Sequence, residues 1–288
     1  MATDQSAFIV NRMPILAMLP KFLPGMTFKK QAAAWRAQFT ELAERGYTVA
    51  LKRIKSGTYK PCMISKALTE HAGEFDPELI KYTATQVYTG GADTSLSVLS
   101  SFFLAMTLYP RVQEKAQLEV DQLLGVNRPP SFSDCEKLPY TRSLMREVFR
   151  CFPPIPLSEV AGRDDIHEGY HVSKGTILFI NIWAILHDKS VYGDPDDFRP
   201  ERWLSENLID RESDSMDIAF GFGRRACPGQ RLAEKLVLTV IASTLSAFTI
   251  TPTIDHDGKP IIPSAEYTDG TITFPRTFAC EIRPRKPL

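Results

Sequence analysis

From Asp76 to Tyr109 the chain reads as one uninterrupted helix, and an element of that length dictates much of the fold around it. Asp76 is a natural N-cap, Pro77 fits the first helical position, and Pro110 stops the run. Ordinary helices average about 11–12 residues. This one is apolar on most sides, so it must cross the centre of the domain. Gly90-Gly91 in its middle costs about 1 kcal/mol per glycine relative to alanine. A purely structural helix has little reason to keep such a pair. Either something approaches the backbone there, or a neighbouring helix packs unusually close.

A second feature concerns chemistry. In Phe220-Gly221-Phe222-Gly223-Arg224-Arg225-Ala226-Cys227-Pro228-Gly229 an aromatic, two arginines and several glycines surround one cysteine, just before a long apolar helix. A metal-binding thiol must be deprotonated, and guanidinium charge with the N–H groups of a helix start favours the thiolate. Arg225 and a helix beginning at Gly229 supply both. Gly223 and Gly229 are expected to permit the tight backbone, and Phe220 to roof the sulfur against water. Two other readings exist. Gly221 to Ala226 formally fits G-x-G-x-x-A, but no buried strand precedes it and Pro228 interrupts where the helix should be running. An inert buried cysteine in a turn is the commonest fate of this residue, yet it needs no flanking arginines.

The loop resembles the haem-binding signature F-x-x-G-x-R-x-C-x-G of the cytochrome P450 family, matched at Phe220, Gly223, Arg225, Cys227 and Gly229. Glu147-Val148-Phe149-Arg150 resembles the family's E-x-x-R, Pro200-Glu201-Arg202-Trp203 its P-E-R-F, and Gly90-Gly91-Ala92-Asp93-Thr94-Ser95 its oxygen-activating stretch. E-x-x-R alone says little, because an acid and a base at this spacing are usually a solvated helix pair. Four motifs in the family's order are specific.

The resemblance implies a mainly α fold with small β-sheets, the cytochrome P450 fold in N-terminally incomplete form, as one domain over residues 1–288. It implies haem b (iron protoporphyrin IX) with Cys227 as axial ligand to the iron, and insertion of one oxygen atom of O2 into a small apolar organic substrate. Thr94 would present its hydroxyl, and Asp93 would relay protons, while dioxygen is cleaved. Glu147, Arg150 and Arg202 would form a buried structural triad, for which the planar fork of arginine is suited. NADPH enters indirectly, through a partner flavoprotein reductase, with Arg224, Arg231 and Lys235 as docking candidates beside the alternative of plain solvated charge. The parent protein would lie at the cytosolic face of the endoplasmic reticulum membrane, held by an anchor. Pro156 to Arg163 is shorter than in fungal relatives and lacks their propionate-contacting histidine, for which Arg163 would substitute. A reading of another class remains: a truncated, haem-free remnant without catalysis, acting as an interaction module.

Bulk composition is that of a soluble globular chain, 43% hydrophobic with zero net formal charge, which points away from nucleic acid. Cys62, Cys135, Cys151, Cys227 and Cys280 form no C-x-x-C pair, so neither a disulfide framework nor a zinc site is expected. His167 and His171 flank a turn entering a strand. The apolar stretch Phe8 to Phe28 is broken by Pro14, Pro20 and Pro24 and carries Arg12 and Lys21, so it is not expected to span a membrane. The resemblance places the start of this chain in the middle of the family fold.

Elsewhere, Phe28, Ala32, Trp35, Phe39 and Leu42 predict an amphipathic helix ending near Gly46 and packed on a core. Helices are also expected over Pro110 to Leu124, closed by Gly125, over Tyr140 to Cys151, and over Gly229 to Phe248, the last with Leu232, Leu236 and Val240 on one face. Strands are expected at 168–172 and 176–182, joined by a Ser173-Lys174-Gly175 hairpin turn, with Asn181 to Asp188 resembling a fungal segment that follows. A polar coil anchored by Trp203 should fill 189–215. Short strands near Ile261, Thr271 to Phe274 and Phe278 to Ile282 should form a C-terminal hairpin near the substrate pocket.

Overall fold

The computed structural model describes residues 8–125, 128–155, 157–204 and 214–285. Pro156, at the start of the shortened stretch, and residues 205–213 of the expected coil lie outside them. The chain divides into two compact units, Met1–Ala92 and Asp93–Leu288.

The first unit opens with α1 (Ile9–Arg12) and a 3-10 turn (Pro14–Met18), followed by α2 (Thr27–Lys55) and α3 (Met63–Thr69). α2 does not end at Gly46. It continues to Lys55, where left-handed Gly57 (φ 69°) and the Thr58 N–H, donating to Arg53 O at 3.0 Å, close it. Lys52, Arg53 and Lys55 in the last turn offset the carbonyl end of the helix dipole. The expected core packing of its apolar stripe is also overturned. Ala43 is its one buried residue among those described, while Phe39 and Leu42 are exposed. Phe39 instead stacks on Tyr82, with centroids 6.2 Å apart.

Tyr82 belongs to α4 (Pro77–Leu108), the long helix, which starts and stops where its caps predict: Asp76 Oδ1 accepts from Glu78 N at 2.9 Å, and Pro110 follows. Buried Lys81 pairs with Glu44 and, at 2.5 Å, with Glu78. By length and composition α4 is long and apolar enough to cross a membrane. Its two ends differ, however. Leu79, Val87 and Tyr88 are exposed, whereas Val98, Phe102, Leu104, Ala105 and Met106 are fully enclosed. The N-terminal part buries Ile80 and Lys81, and the C-terminal part is enclosed along the run from Val98 to Met106, so the helix is not core over its whole length.

The C-terminal part belongs to the second unit, where it meets α5 (Pro110–Leu124), α6 (Phe132–Cys135), α7 (Pro139–Cys151) and α11 (Gln230–Ala247). Their stripes interlock as one cluster: Phe102 and Met106, Ala116 and Val120, Leu144 and Val148, Val237, Ile241 and Leu245. In α11 the burying stripe is the 237/241/245 face, and Leu232 and Leu236 are exposed. The start of α7 is capped from α5: Glu119 accepts from Tyr140 N (2.7 Å), Thr141 N (2.8 Å) and Thr141 Oγ1 (2.7 Å). These bonds satisfy amides that any helix start leaves open.

The strands β1 (Leu157–Val160), β2 (Asp165–His167), β3 (Tyr170–Val172) and β4 (Ile177–Ile180) are nested: β2 pairs with β3, and β1 with β4, both antiparallel. The expected hairpin of 168–172 with 176–182 is therefore wrong. The tight turn is Glu168-Gly169, both at positive φ (49° and 84°), the pattern that suits a two-residue hairpin. Ser173 to Gly175 merely carries the chain back to β1, with Gly175 N donating to Ala161 O at 2.7 Å. β4 ends before Asn181, whose Oδ1 accepts from Ala184 N at 3.0 Å and caps α8 (Ile182–Leu186).

Within the expected coil lie α9 (Lys189–Tyr192), a 3-10 turn (Pro200–Trp203) and the start of α10 (Ser215–Ala219). The C-terminal sheet has the order β6-β5-β7, with β5 (Phe248–Ile254), β6 (Pro260–Ile261) and β7 (Cys280–Pro284). β5 was not anticipated. Gln113 of α5 fixes it by donating to Ile250 O and accepting from Ile250 N, both at 2.8 Å. Thr271 to Phe274 forms no strand; Thr273 N donates to Pro154 O and Ser97 Oγ to Thr273 O.

Candidate active site

The cysteine loop hangs between α10 and α11. Phe220 is the C-cap of α10, and its carbonyl accepts from Cys227 N at 2.7 Å, closing the loop on itself. A turn of 3-10 helix (Gly223–Arg225) lies inside this closure, and Gln230 N donates to Cys227 O at 3.3 Å as α11 begins. The residues that need left-handed backbone are Gly221 (φ 80°) and Gly223 (φ 55°). Gly229 is different from expectation. It sits at φ −88°, where any residue is at ease, and acts as N-cap of α11. A side chain there would place its Cβ 3.7 Å from Cys227 Sγ, so its bare α-carbon keeps space open beside the sulfur.

Cys227 is exposed. Phe220 packs into the core edge with its ring tilted against Phe149, centroids 5.3 Å apart. Arg225, itself exposed, donates from Nε to Glu159 Oε2 of β1 at 3.2 Å, which links the loop to the β1–β4 pair. Among the described residues no three His, Cys, Asp or Glu side chains gather as a metal site. An iron porphyrin brings most of its own ligands, so that a single protein thiolate can hold it. The accessible thiol of Cys227 and the space kept by Gly229 fit that group.

Behind the loop, on α7, fully buried Glu147 is the centre of a clamp. Its Oε2 accepts from Arg150 Nε (3.0 Å) and Trp203 Nε1 (2.8 Å). Its Oε1 accepts from Arg150 Nη2 (3.0 Å), Arg202 Nε (3.0 Å) and Arg199 N (2.8 Å). The arginines spend their other N–H groups on carbonyls: Arg150 on Leu186 O and Asp197 O, Arg202 on Tyr192 O and Asp197 O. Burial pulls the Arg150 pKa down, but the hydrogen bonds to Glu147 together with the charge of Glu147 and its acidic neighbours more than offset it and hold the guanidinium above its ordinary value. The structure thus brings Glu147, Arg150 and Arg202 together. Sequence reasoning missed two donors, Trp203 and the Arg199 amide.

Asp93 and Thr94 lie on α4, which runs without a break through Gly90 and Gly91. Asp93 is exposed and Thr94 half-buried. Apart from the chain neighbours and the helix's own backbone, no heavy atom lies within 4 Å of where a Cβ would stand on either glycine. An apolar cavity of about 300 Å³ is lined by Cys151, Phe152, Ile155, Trp183, Tyr267 and Thr273. Its sulfur is inert: burial first, and then the Glu147 charge, pushes the Cys151 thiol well above the usual thiol range.

Comparison with known proteins agrees with these features. Residues 4–272 match the cytochrome P450 family. The chain is 39% identical over 286 residues, 99% of its length, to the cytochrome P450 monooxygenase claR of Ampulloclitocybe clavipes. It is 41% identical, over 99% of its length, to the cytochrome P450 monooxygenase 208 of Postia placenta. It spans only 53% and 56% of those relatives' own lengths. Among solved structures, a zebrafish cytochrome P450 structure with progesterone superposes with a TM-score of 0.73 at 28% identity, covering 85% of this chain and 57% of that one. With its thiol loop and glutamate clamp, this chain belongs to the cytochrome P450 family.

Proposed function

We propose that this chain is the thiolate-bearing part of a haem-dependent monooxygenase that oxidises a small apolar organic substrate. The observation that carries the reading is Cys227: an exposed thiol, with space kept beside it by Gly229, on a loop closed through its own amide. Haem, when bound, would supply dioxygen activation and oxygen insertion, and a cysteine thiolate ligand favours O–O cleavage, as is general for this family. The protein's part is to place and protect. Cys227 holds the iron through its thiolate, Phe220, Gly223 and Gly229 shape the loop, and Arg225 ties it to β1. Exposed Asp93 collects protons and Thr94 passes them inward, a role suited to an acid and a hydroxyl at adjacent positions. Thr273 and Ile155, on the apolar cavity, contribute to the substrate wall. Electrons come from an NADPH-dependent flavoprotein reductase that docks on exposed Arg224, Arg231 and Lys235, with the assembled protein at the cytosolic face of the endoplasmic reticulum.

The test uses the chain joined to the remaining length of a relative and reconstituted with haem. Cys227→Ser should abolish the thiolate-type carbon monoxide spectrum, whereas serine at each of the other four cysteines should retain it. Gly229→Val should lose haem without unfolding, because the new side chain fills the space beside the sulfur. An unchanged carbon monoxide spectrum in Cys227→Ser would remove this residue as ligand and the proposal with it.

A further inference from the structure

Charge is unevenly spread along this chain. Although the net formal charge is zero, the stretch from Arg45 to Thr69 carries Arg45, Lys52, Arg53, Lys55, Lys60 and Lys66 and no acidic residue. Lys52, Arg53, Lys55 and Lys60 are all exposed, and they crowd the end of α2. Offsetting the helix dipole explains cations in the last turn only. Lys60 lies beyond the helix, so the cluster continues where that reason stops.

In the middle of the cluster stands Ser56, exposed, the C-cap of α2, with Arg53 three residues before it. Its Oγ donates to Arg53 O at 3.1 Å and lies 2.7 Å from Thr58 Oγ1. Left-handed Gly57 breaks the helix there, and residues 58–62 form neither helix nor strand. From Lys52 to Lys60 every residue is exposed except half-buried Ile54. Opening the last turn therefore gives up a few solvent-exposed hydrogen bonds and little packing, the kind of local unfolding that costs least. Two other described hydroxyls also have an arginine three residues before them, and both differ from Ser56. Thr48 lies well inside α2. Ser131 Oγ donates to Asp134 Oδ2 at 2.5 Å, and its Arg128 is spent on the same carboxylate, at 2.9 Å to Oδ1.

We propose that Ser56 is a phosphorylation site for a basophilic protein kinase, one whose substrate groove is acidic. Kinases select substrates by charge pattern, and Lys52, Arg53 and Lys55 set cations immediately before the acceptor hydroxyl, with no acid nearby in sequence to repel the groove. In the transfer Ser56 Oγ attacks the γ-phosphorus of ATP. The bond from that phosphorus to the bridging oxygen breaks, ADP leaves with the electron pair, and the hydroxyl proton passes to a carboxylate of the kinase. The new phosphate carries a charge of about −2, which cancels about half of that on the four exposed bases. The modification thus acts as a charge switch on this surface, and it does not depend on haem.

Incubation of the chain with magnesium ATP and the catalytic subunit of cyclic-AMP-dependent protein kinase, a basophilic enzyme, tests this, with the phosphate located by tandem mass spectrometry. The folded chain should gain phosphate at Ser56. Ser56→Ala should lose it and Ser56→Thr should keep it, which separates loss of the acceptor from loss of the fold. Arg53→Gln should lower the kinase's kcat/KM for this site about tenfold, the size expected for one hydrogen bond to a charged group. An acidophilic casein kinase, whose groove is basic, should leave Ser56 unmodified. No phosphate on the folded chain, phosphate only on Thr48, Thr58 or Ser131, equal modification of Ser56 by both kinases, or modification confined to the heat-denatured chain would overturn the proposal.

Discussion

Cys62 and Cys151 are driven in opposite directions by their surroundings. Exposed Cys62 receives a hydrogen bond from the Ser65 amide at the start of α3, and this lowers its pKa. Cys151 is pushed up, by burial first and then by the Glu147 carboxylate. At neutral pH Cys62 therefore holds the larger thiolate fraction, and thiolate is the reacting species. Alkylation followed by mass spectrometry should label Cys62 well before Cys151, and equal rates would contradict the burial of the latter. The sign for stability follows. Because the folded thiol of Cys151 titrates above the unfolded one, its contribution is complete below about pH 8.5 and is lost as pH rises further. Cys151→Ala should flatten that alkaline loss in pH-dependent thermal unfolding.

Among the elements, the clamp around Glu147 is the most demanding. Removing the carboxylate by Glu147→Ala would leave two guanidinium groups without their counter-charge and a buried indole N–H without its acceptor, a loss of about 3–5 kcal/mol for a broken buried pair. Soluble protein at normal yield and melting temperature would count against the clamp's structural weight. How far such elements can be read in a sequence depends on where their signals lie. α4 and α5 were legible because Asp76, Pro77, Pro110 and Gly125 are residue types with one strong local preference. The triad was legible through resemblance, but the Arg199 amide was not, since a backbone N–H leaves no trace in residue type. Gly57 ends α2 where Gly46 does not, and the difference is set by backbone conformation rather than identity. The nested strands were hidden for a similar reason: Glu168 adopts positive φ without being asparagine or glycine. β5 was masked by the apolar run that leads out of α11.

For the molecule as a whole, uncovered apolar surface is the dominant feature. Val160, Ile177, Leu178 and Phe179 on the β1–β4 pair are exposed on both faces, and so is Leu232 on α11. A two-stranded sheet is marginal in water on its own. The chain also spans just over half of its relatives' length. Residues 1–288 alone should therefore bind a hydrophobic dye such as anilinonaphthalene sulfonate strongly, and fusion to the remaining length of a relative should suppress that signal. A dark, monomeric chain would show that these surfaces need no cover.

The Trp203 bond to Glu147 also makes the molecule its own indicator. Of the three tryptophans, Trp183 is exposed and stacked on His187, whereas Trp203 is enclosed with its indole proton on a carboxylate. That proton should resonate far downfield and exchange slowly, so a single nuclear magnetic resonance peak reports whether the clamp has assembled. Colour arises only once haem is present; this peak would be visible before it, which allows the folding of the thiolate platform to be timed separately from the arrival of the cofactor.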